Sequence, residues 1–393
     1  MVNERMLGLG TARSVIRELF EYGNQRKAIV GEENVFDFSL GNPSVPPPAA
    51  LNGSILRILR ENPDAIHGYT SAPGDLAVRS SLAASLNRRF GTEYGPNDLY
   101  ITVGAAAALC CVLNGLSCPG DEFIAFAPYF PEYRVFVEGA GAAFKVVPPE
   151  TEGFQIDFAA FEAMLTEHTK VVIVNSPNNP SGVVYSRATL EKLAAILTEK
   201  SRQYGHPIYL ISDEPYREIA FTGVEVPWIP SIYRDTIVCY SFSKSLSVPG
   251  ERLGYVLVPP QIADAQLVYP AVAGAGRSLG YVNAPSLFQH VIADCCDLTA
   301  DIGIYEKNCE TLVRELRAMG YHVVQPGGAF YLFPRTLEAD DLAFSERAKS
   351  FDLLLVPGSG FGAPGHFRLA YCVQPEMIER ALPKFRALAE SYR

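Results

Sequence analysis

The chain has 393 residues, 48% of them apolar, and a formal net charge of -10. That is enough material for two cores, since single cores stop growing at roughly 250 to 300 residues. The negative balance, with no basic run, argues against a general grip on phosphate backbones or anionic membranes, so neither nucleic acid nor membrane is an expected partner.

The opening "MVNERMLGLGTARSVIRELF" is charged throughout and lacks the apolar centre and cleavage site of a signal peptide. It reads as helical from about 11 to 22, followed by a turning stretch, "FDFSLGNPSVPPP". The longest apolar run, "GAAAALCCVLNGL", is too short to span a bilayer. Eight cysteines without a C-x-x-C pair fit reduced, buried small residues, not a disulfide framework or a metal site. The expected location is cytoplasmic.

Seven short runs rich in β-branched and aromatic residues then follow: "DLYITVG", "DEFIAFAP", "AFKVVPP", "KVVIVNSP", "PIYLISDEP", "TIVCYSFS" and "LGYVLVPP". Amphipathic stretches separate several of them, such as "ATLEKLAAILTEKSRQYG", where Leu190, Leu193 and Leu197 share a face. The alternation predicts an α/β fold whose mostly parallel seven-stranded sheet lies between helices. Residues 46–285 would form this large domain. The last third, with a helical pattern near 284 to 319, strands in "YHVVQPGGAFYLFP" and "HFRLAYC", and a closing helix from about 374, predicts a smaller α+β domain. Residues 1–45 would join 286–393 in it.

Open parallel sheets bind ligands at the carboxyl ends of their strands. After the first run, Gly104, Ala105 and Ala106 open a helix whose free amides suit a phosphate, although on its own the motif is better explained by a tight turn with small residues for packing. Asn179 lies in the turn-forming loop "NSPNNPSG". Asp213 ends the next apolar run, where a carboxylate also serves as a cap or an ion-pair partner. Lys244 follows the run after that, beside Ser241 and Ser243, hydroxyls that do not neutralise it. An amide, a carboxylate and an amine thus come to one sheet edge.

The ordered set "SPNNPSG", "DEPY" and "SFSKSLSVPGERLG" resembles the class I/II aminotransferases of fold type I, and the similarity runs from about Gly41 to Arg368. The resemblance implies pyridoxal 5'-phosphate as cofactor and transfer of an amino group between an α-amino acid and a 2-oxo acid. It further implies that Lys244 forms the Schiff base and shuttles the proton at the substrate Cα, and that Asp213 keeps the ring nitrogen protonated. Asn179 and Tyr216 would bond the ring's phenolic oxygen, and Phe130 would stack on the ring. Ser241, Ser243, Arg252 and the amides at Gly104, Ala105 and Ala106 would hold the phosphate. Arg368, with Asn179 and the backbone at Gly41, would bind the substrate carboxylate. Tyr69, in "HGYTSAPG", would reach the phosphate of a neighbouring subunit, which implies a homodimer with shared sites.

Arg277 lies near the position of a side-chain-selecting arginine but one residue off its usual spacing. The "GSGFG" at 358–362 is not G-x-G-x-x-G and reads as a turn. Three other readings stand beside transamination. Carbon-sulfur β-elimination starts from the same carbanion. Ser241 to Lys244 also fits the S-x-x-K of serine acyl-enzymes, without the S-D-N and K-T-G partners. A regulator with an aminotransferase-like sensor would need a DNA-reading module, and no basic helix-turn-helix precedes residue 41.

Overall fold

Strands form where the β-branched and aromatic runs fall. The computed structural model describes residues 1–11 and 15–393. After a short β1 (Phe36–Asp37) come β2 (Leu99–Thr102), β3 (Glu122–Phe126), β4 (Ala143–Val147), β5 (Thr169–Asn175), β6 (Tyr209–Asp213), β7 (Thr236–Ser241) and β8 (Gly254–Leu257). The last seven make one sheet in the order β2-β8-β7-β6-β5-β3-β4. β8 runs antiparallel to both neighbours, and the other pairings are parallel, as the alternation of runs predicts. β6 and β7 are buried along their whole length, which explains why their sequences are continuous apolar runs and do not alternate.

Helices close both faces. The helix Arg187–Tyr204 starts at Ser186, whose hydroxyl accepts from the Thr189 amide at 3.0 Å, and stops at Gly205 in the left-handed conformation. It buries Leu190, Leu193 and Leu197 against Ile208 and Leu210. On the other face, the helix Ala105–Leu116 packs on Ala265–Ser278 so closely that a Cβ at Gly115 would stand 3.0 Å from the backbone of Ala271.

Beyond the sheet, β9 (Tyr331–Leu332), β10 (Leu353–Leu354), β11 (Val356–Pro357) and β12 (Phe367–Ala370) form two small sheets. Their orders are β11-β12-β9, antiparallel, and β1-β10, parallel. The helices Gly303–Met319 and Pro375–Glu390 cover them, with Leu312, Leu316, Phe344 and Phe385 in a shared core.

Three local expectations change. The pattern near 284 to 319 is two helices, Ser286–Cys295 and Gly303–Met319. Between them the Ala300 amide donates to the Ser245 carbonyl at 2.7 Å, and Asp301 accepts from the Gly303 amide, so the backbone finds partners outside a helix. In "YHVVQPGGAFYLFP" the strand is confined to Tyr331–Leu332, after the Pro326-Gly327-Gly328 interruption. The first helical segment is Glu4–Thr11 and a second runs Val15–Val30; the part of the 11 to 22 expectation on residues 12–14 lies outside the described residues. Among the described residues no helix is long and apolar enough to cross a membrane.

At Gly254, on β8 between β2 and β7, a Cβ would lie 2.3 Å from the Tyr240 carbonyl oxygen and 3.0 Å from the backbone of Gly104. Gly254→Ala should therefore lose about 1–3 kcal/mol of stability. The urea midpoint measures this, and an unchanged midpoint would mean that the β2-β8-β7 edge yields freely.

Candidate active site

The parallel register places Asn175 beside Asp213 and Asp213 beside Cys239, so β5, β6 and β7 reach one edge together. β7 continues to Ser241, and a single helical turn, Phe242–Ser245, carries Lys244. The chain then passes through a turn at Pro249–Glu251 and sets Arg252 at φ 53 before β8 returns with Gly254 opposite Ser241. This brings the Arg252 guanidinium against Gly104, where a Cβ would come within 2.8 Å of Nη2; with φ +85 as well, the position requires glycine.

Ala105, Ala106, Phe130, Asn179, Asp213, Tyr216, Ser241, Ser243, Lys244 and Arg252 line a single cavity. Gly104 stands behind Arg252. Lys244 Nζ donates to the Gly41 carbonyl at 2.7 Å. Arg368 donates from Nη1 to Asn179 Oδ1 at 3.1 Å and from Nη2 to the Ser39 carbonyl. Tyr69 is apart from this group within the chain, 98% exposed, and Arg277 is exposed in the last turn of Ala265–Ser278. Ser241 Oγ pairs with Ser243 Oγ at 2.7 Å and with the Leu253 carbonyl, while Lys244 turns to Gly41, so the lysine-serine contact of an S-x-x-K nucleophile is not made.

Burial governs the charges. It pushes Asp213 up to about 7, against the opposing pull of a hydrogen bond from Tyr133 and with a smaller upward push from Glu214. It also brings Lys244 down to about 8, helped by the positive charges of Arg252 and Arg368, and lowers Arg368. Two polar atoms in this group are buried with no hydrogen-bond partner among the described residues, Asp213 Oδ1 and Arg368 Nε. Such atoms are expensive to leave unpaired, and Asp213 Oδ1, on a residue that lines the cavity, marks a place for a ligand's donor.

Four further residues belong to the site. Tyr133 donates to Asp213 Oδ2 at 2.5 Å. Asn175 donates to the Asp213 carbonyl at 2.9 Å and accepts from the Asn179 amide at 2.7 Å, fixing the loop between them. Ser39 accepts from Arg368, and Tyr331 bonds Tyr216 at 2.9 Å. Asn175, as the polar end of "KVVIVN", was open to the strand-end rule; the tyrosines carry no local signal beyond their aromaticity.

A lysine, a buried carboxylate, two serine hydroxyls and a guanidinium thus share one cavity at the carboxyl edge of a mostly parallel sheet, where α/β folds bind their ligands. Residues 33–385 match the model of the family "Aminotransferase class I and II". An aspartate aminotransferase of Thermotoga maritima is 29% identical over 96% of this chain and 97% of its own length, and an aspartate/prephenate aminotransferase of Thermus thermophilus is 30% identical over 81% and 82%. Among solved structures, an aminotransferase from Eubacterium rectale superposes with a TM-score of 0.98 at 52% identity over 100% of this chain and 99% of that one. The Thermotoga maritima aspartate aminotransferase structure gives 0.85 at 28% identity over 99% and 100%. The chain belongs to the class I and II aminotransferases. That family depends on pyridoxal phosphate, acts on amino and oxo acids, and is typically dimeric.

A lysine lowered to about 8 is neutral at a pH where ordinary lysines, at 10.5, stay protonated. Covalent capture of cofactor-free protein by an aldehyde, fixed by borohydride and mapped by peptide, should therefore label Lys244 with a rate that climbs to a plateau through pH 8. A profile still rising toward pH 10 would show an unperturbed amine.

Proposed function

We propose that this chain is a pyridoxal-phosphate-dependent aminotransferase working between an α-amino acid and a 2-oxo acid. The observation that carries this is the unpartnered, buried Asp213 Oδ1 in the same cavity as Lys244, Ser241, Ser243 and Arg252. These residues fit the cofactor. Ser241, Ser243 and Arg252, with the amides of Ala105 and Ala106 and the turn at Gly104, would hold its phosphate. Asp213 would meet its ring nitrogen, Phe130 its face, and Asn179 and Tyr216 its phenolic oxygen. When bound, the cofactor supplies an aldehyde for amine capture and an electron sink at the substrate Cα.

The chain's own residues do the rest. An N–H donor at Oδ1 favours the Asp213 carboxylate over the neutral acid to which burial drives it, and Tyr133 already supports the charged form at Oδ2. Lys244, whose burial eases the loss of its proton, would take and return a proton at Cα. Arg368 presents a fork to the substrate carboxylate, with Asn179 and the Gly41 backbone beside it. The relatives' names make aspartate a candidate amino donor, and Arg277 remains a candidate for selecting an acidic side chain.

The active unit in this reading is a homodimer in which Tyr69 completes the partner's phosphate site. Its 98% exposure, on a segment tied down by the Asn283 amide to Thr70, supports a role across an interface. The division into a large domain (46–285) and a small one (1–45 and 286–393) is also part of the proposal. The helix Ser286–Cys295 shares a core with Ala49–Glu61 and Leu76–Phe90, which favours counting it with the large domain.

The test is a half-reaction. Adding the amino donor to cofactor-loaded protein should shift the visible band and release the matching oxo acid, and Lys244→Ala should slow this by on the order of 10²–10⁴-fold or more. Pyruvate and ammonia from a cysteine conjugate, with no oxo acid from any amino acid, would replace transamination by β-elimination. For the shared site, a Lys244→Ala chain refolded with a Tyr69→Phe chain should regain up to about half a normal dimer's activity per heterodimer, because one site then holds both intact residues. Heterodimers no better than their parents would remove Tyr69 from the partner's site.

A further inference from the structure

Tyr331, on β9, is 2% exposed and stands behind the cavity wall. Its hydroxyl lies 2.9 Å from that of Tyr216, which does border the cavity. The centre of its ring lies 4.9 Å from the Arg368 guanidinium carbon. Its hydroxyl also presses on Gly41, where a Cβ would come within 2.1 Å, and Gly41 carries the carbonyl that accepts from Lys244.

We propose that Tyr331 is a positioning residue that serves two parts of the site at once: its hydroxyl donates to Tyr216 and frees the Tyr216 proton for the cavity, while its ring supports the Arg368 fork. The inference rests on the cofactor reading above.

The direction of the hydrogen bond follows from what surrounds each oxygen. One hydrogen fits between the two phenols, so the other must find a different acceptor. Among the described residues Tyr331 Oη has Tyr216 as its hydrogen-bond partner and makes no hydrogen bond to Gly41, whose missing side chain leaves it room. If Tyr216 donated, the Tyr331 hydrogen would be buried without an acceptor. Tyr216 faces the cavity and can place its hydrogen there. Tyr331 is therefore the donor, and a phenol that accepts one hydrogen bond becomes a stronger donor in the next.

The ring has a separate job. Arg368 is buried with Nε unpartnered, and Tyr331 and Phe361 each offer an aromatic ring, at 4.9 Å and 5.0 Å from its guanidinium carbon. Aromatic faces stabilise a guanidinium without occupying the donors that a carboxylate needs.

The experiment is a pH titration of the visible absorption of the cofactor-loaded protein. Tyr331→Phe keeps the ring and removes the donor. Weaker donation by Tyr216 leaves the cofactor's phenolic oxygen more negative, so the adjacent nitrogen holds its proton more tightly. The spectral pKa should rise by about half a unit to one unit. In a Tyr216→Phe background the same substitution should add no shift, since Tyr331 acts through that phenol. Binding of a non-reacting carboxylate should be kept in Tyr331→Phe and weakened about three- to tenfold in Tyr331→Leu, which loses the ring. If Tyr331→Phe does not fold, Gly41→Ala, whose Cβ would displace the hydroxyl, is read in the same way and should also shift the pKa upward.

An unshifted titration in Tyr331→Phe, or an equal shift with and without the Tyr216 hydroxyl, overturns the inference alone. A parent protein with no visible band after loading overturns the cofactor reading and this inference with it.

Discussion

Burying three ionisable groups at one place is the constraint on which this structure turns. Asp213, Lys244 and Arg368 are each pushed toward their neutral forms, and in each the first cause is burial. The cations add to the cost, since the charges of Arg252 and Arg368 help to lower Lys244. A carboxylate and a pair of cations left in this state destabilise the protein that holds them, and a fold keeps such an arrangement where a ligand of complementary charge repairs it. An anionic phosphate and carboxylate on one side and an N–H donor on the other match the groups present.

Contrast with the neighbouring pair sharpens the point. Glu214, one residue after Asp213, is just as buried but fully satisfied: Arg217 reaches both its oxygens and Ser212 donates to it at 2.6 Å. Arg217 in turn bonds the carbonyls of Val226 and Pro227 and lies 5.0 Å from the Trp228 ring. Such a pair adds little net stability over an apolar replacement, but it fixes geometry. Here it pins the turn between Asp213 and Tyr216, so the two side chains face the cavity from a rigid support. Satisfied charges hold the frame, and Asp213, left with an unpaired oxygen, faces the cavity.

Much of this was legible in the sequence because the deciding features are local. Runs such as "TIVCYSFSK" encode both a fully buried strand and the residue at its end, so the sheet, its carboxyl edge and Lys244 follow together. Tyr133 and Tyr331 were not legible for the opposite reason. Their contacts with Asp213 and Tyr216 span 80 and 115 residues, and in sequence Tyr331 is one aromatic of an apolar stretch while Tyr133 stands between Glu132 and Arg134, with nothing local to mark either. The break between Cys295 and Gly303 escaped because its partner, the Ser245 carbonyl, also belongs to a distant element. Local pattern specifies which residues are buried; it does not specify what they touch.

Glycine joins the sheet edge to the β9 segment where those distant contacts are closest. Gly41 lies between the Lys244 ammonium, bonded to its carbonyl, and the Tyr331 hydroxyl against its Cα. Gly182, at φ +70 and with room for a Cβ only 2.6 Å from the Tyr331 carbonyl oxygen, closes the Asn179 loop onto β9. Its own carbonyl accepts from the amides of Gly327 and Gly328. The β9 segment is thus clamped to the sheet edge by backbone at both sides of Tyr331, and a side chain at either glycine would force them apart. Because Arg368 rests on the Tyr331 ring and Tyr216 on its hydroxyl, the spacing of these backbones sets the distance between the expected carboxylate site and the expected ring site. The geometry of recognition is therefore fixed less by the charged residues themselves than by how closely two uncharged stretches of chain can approach.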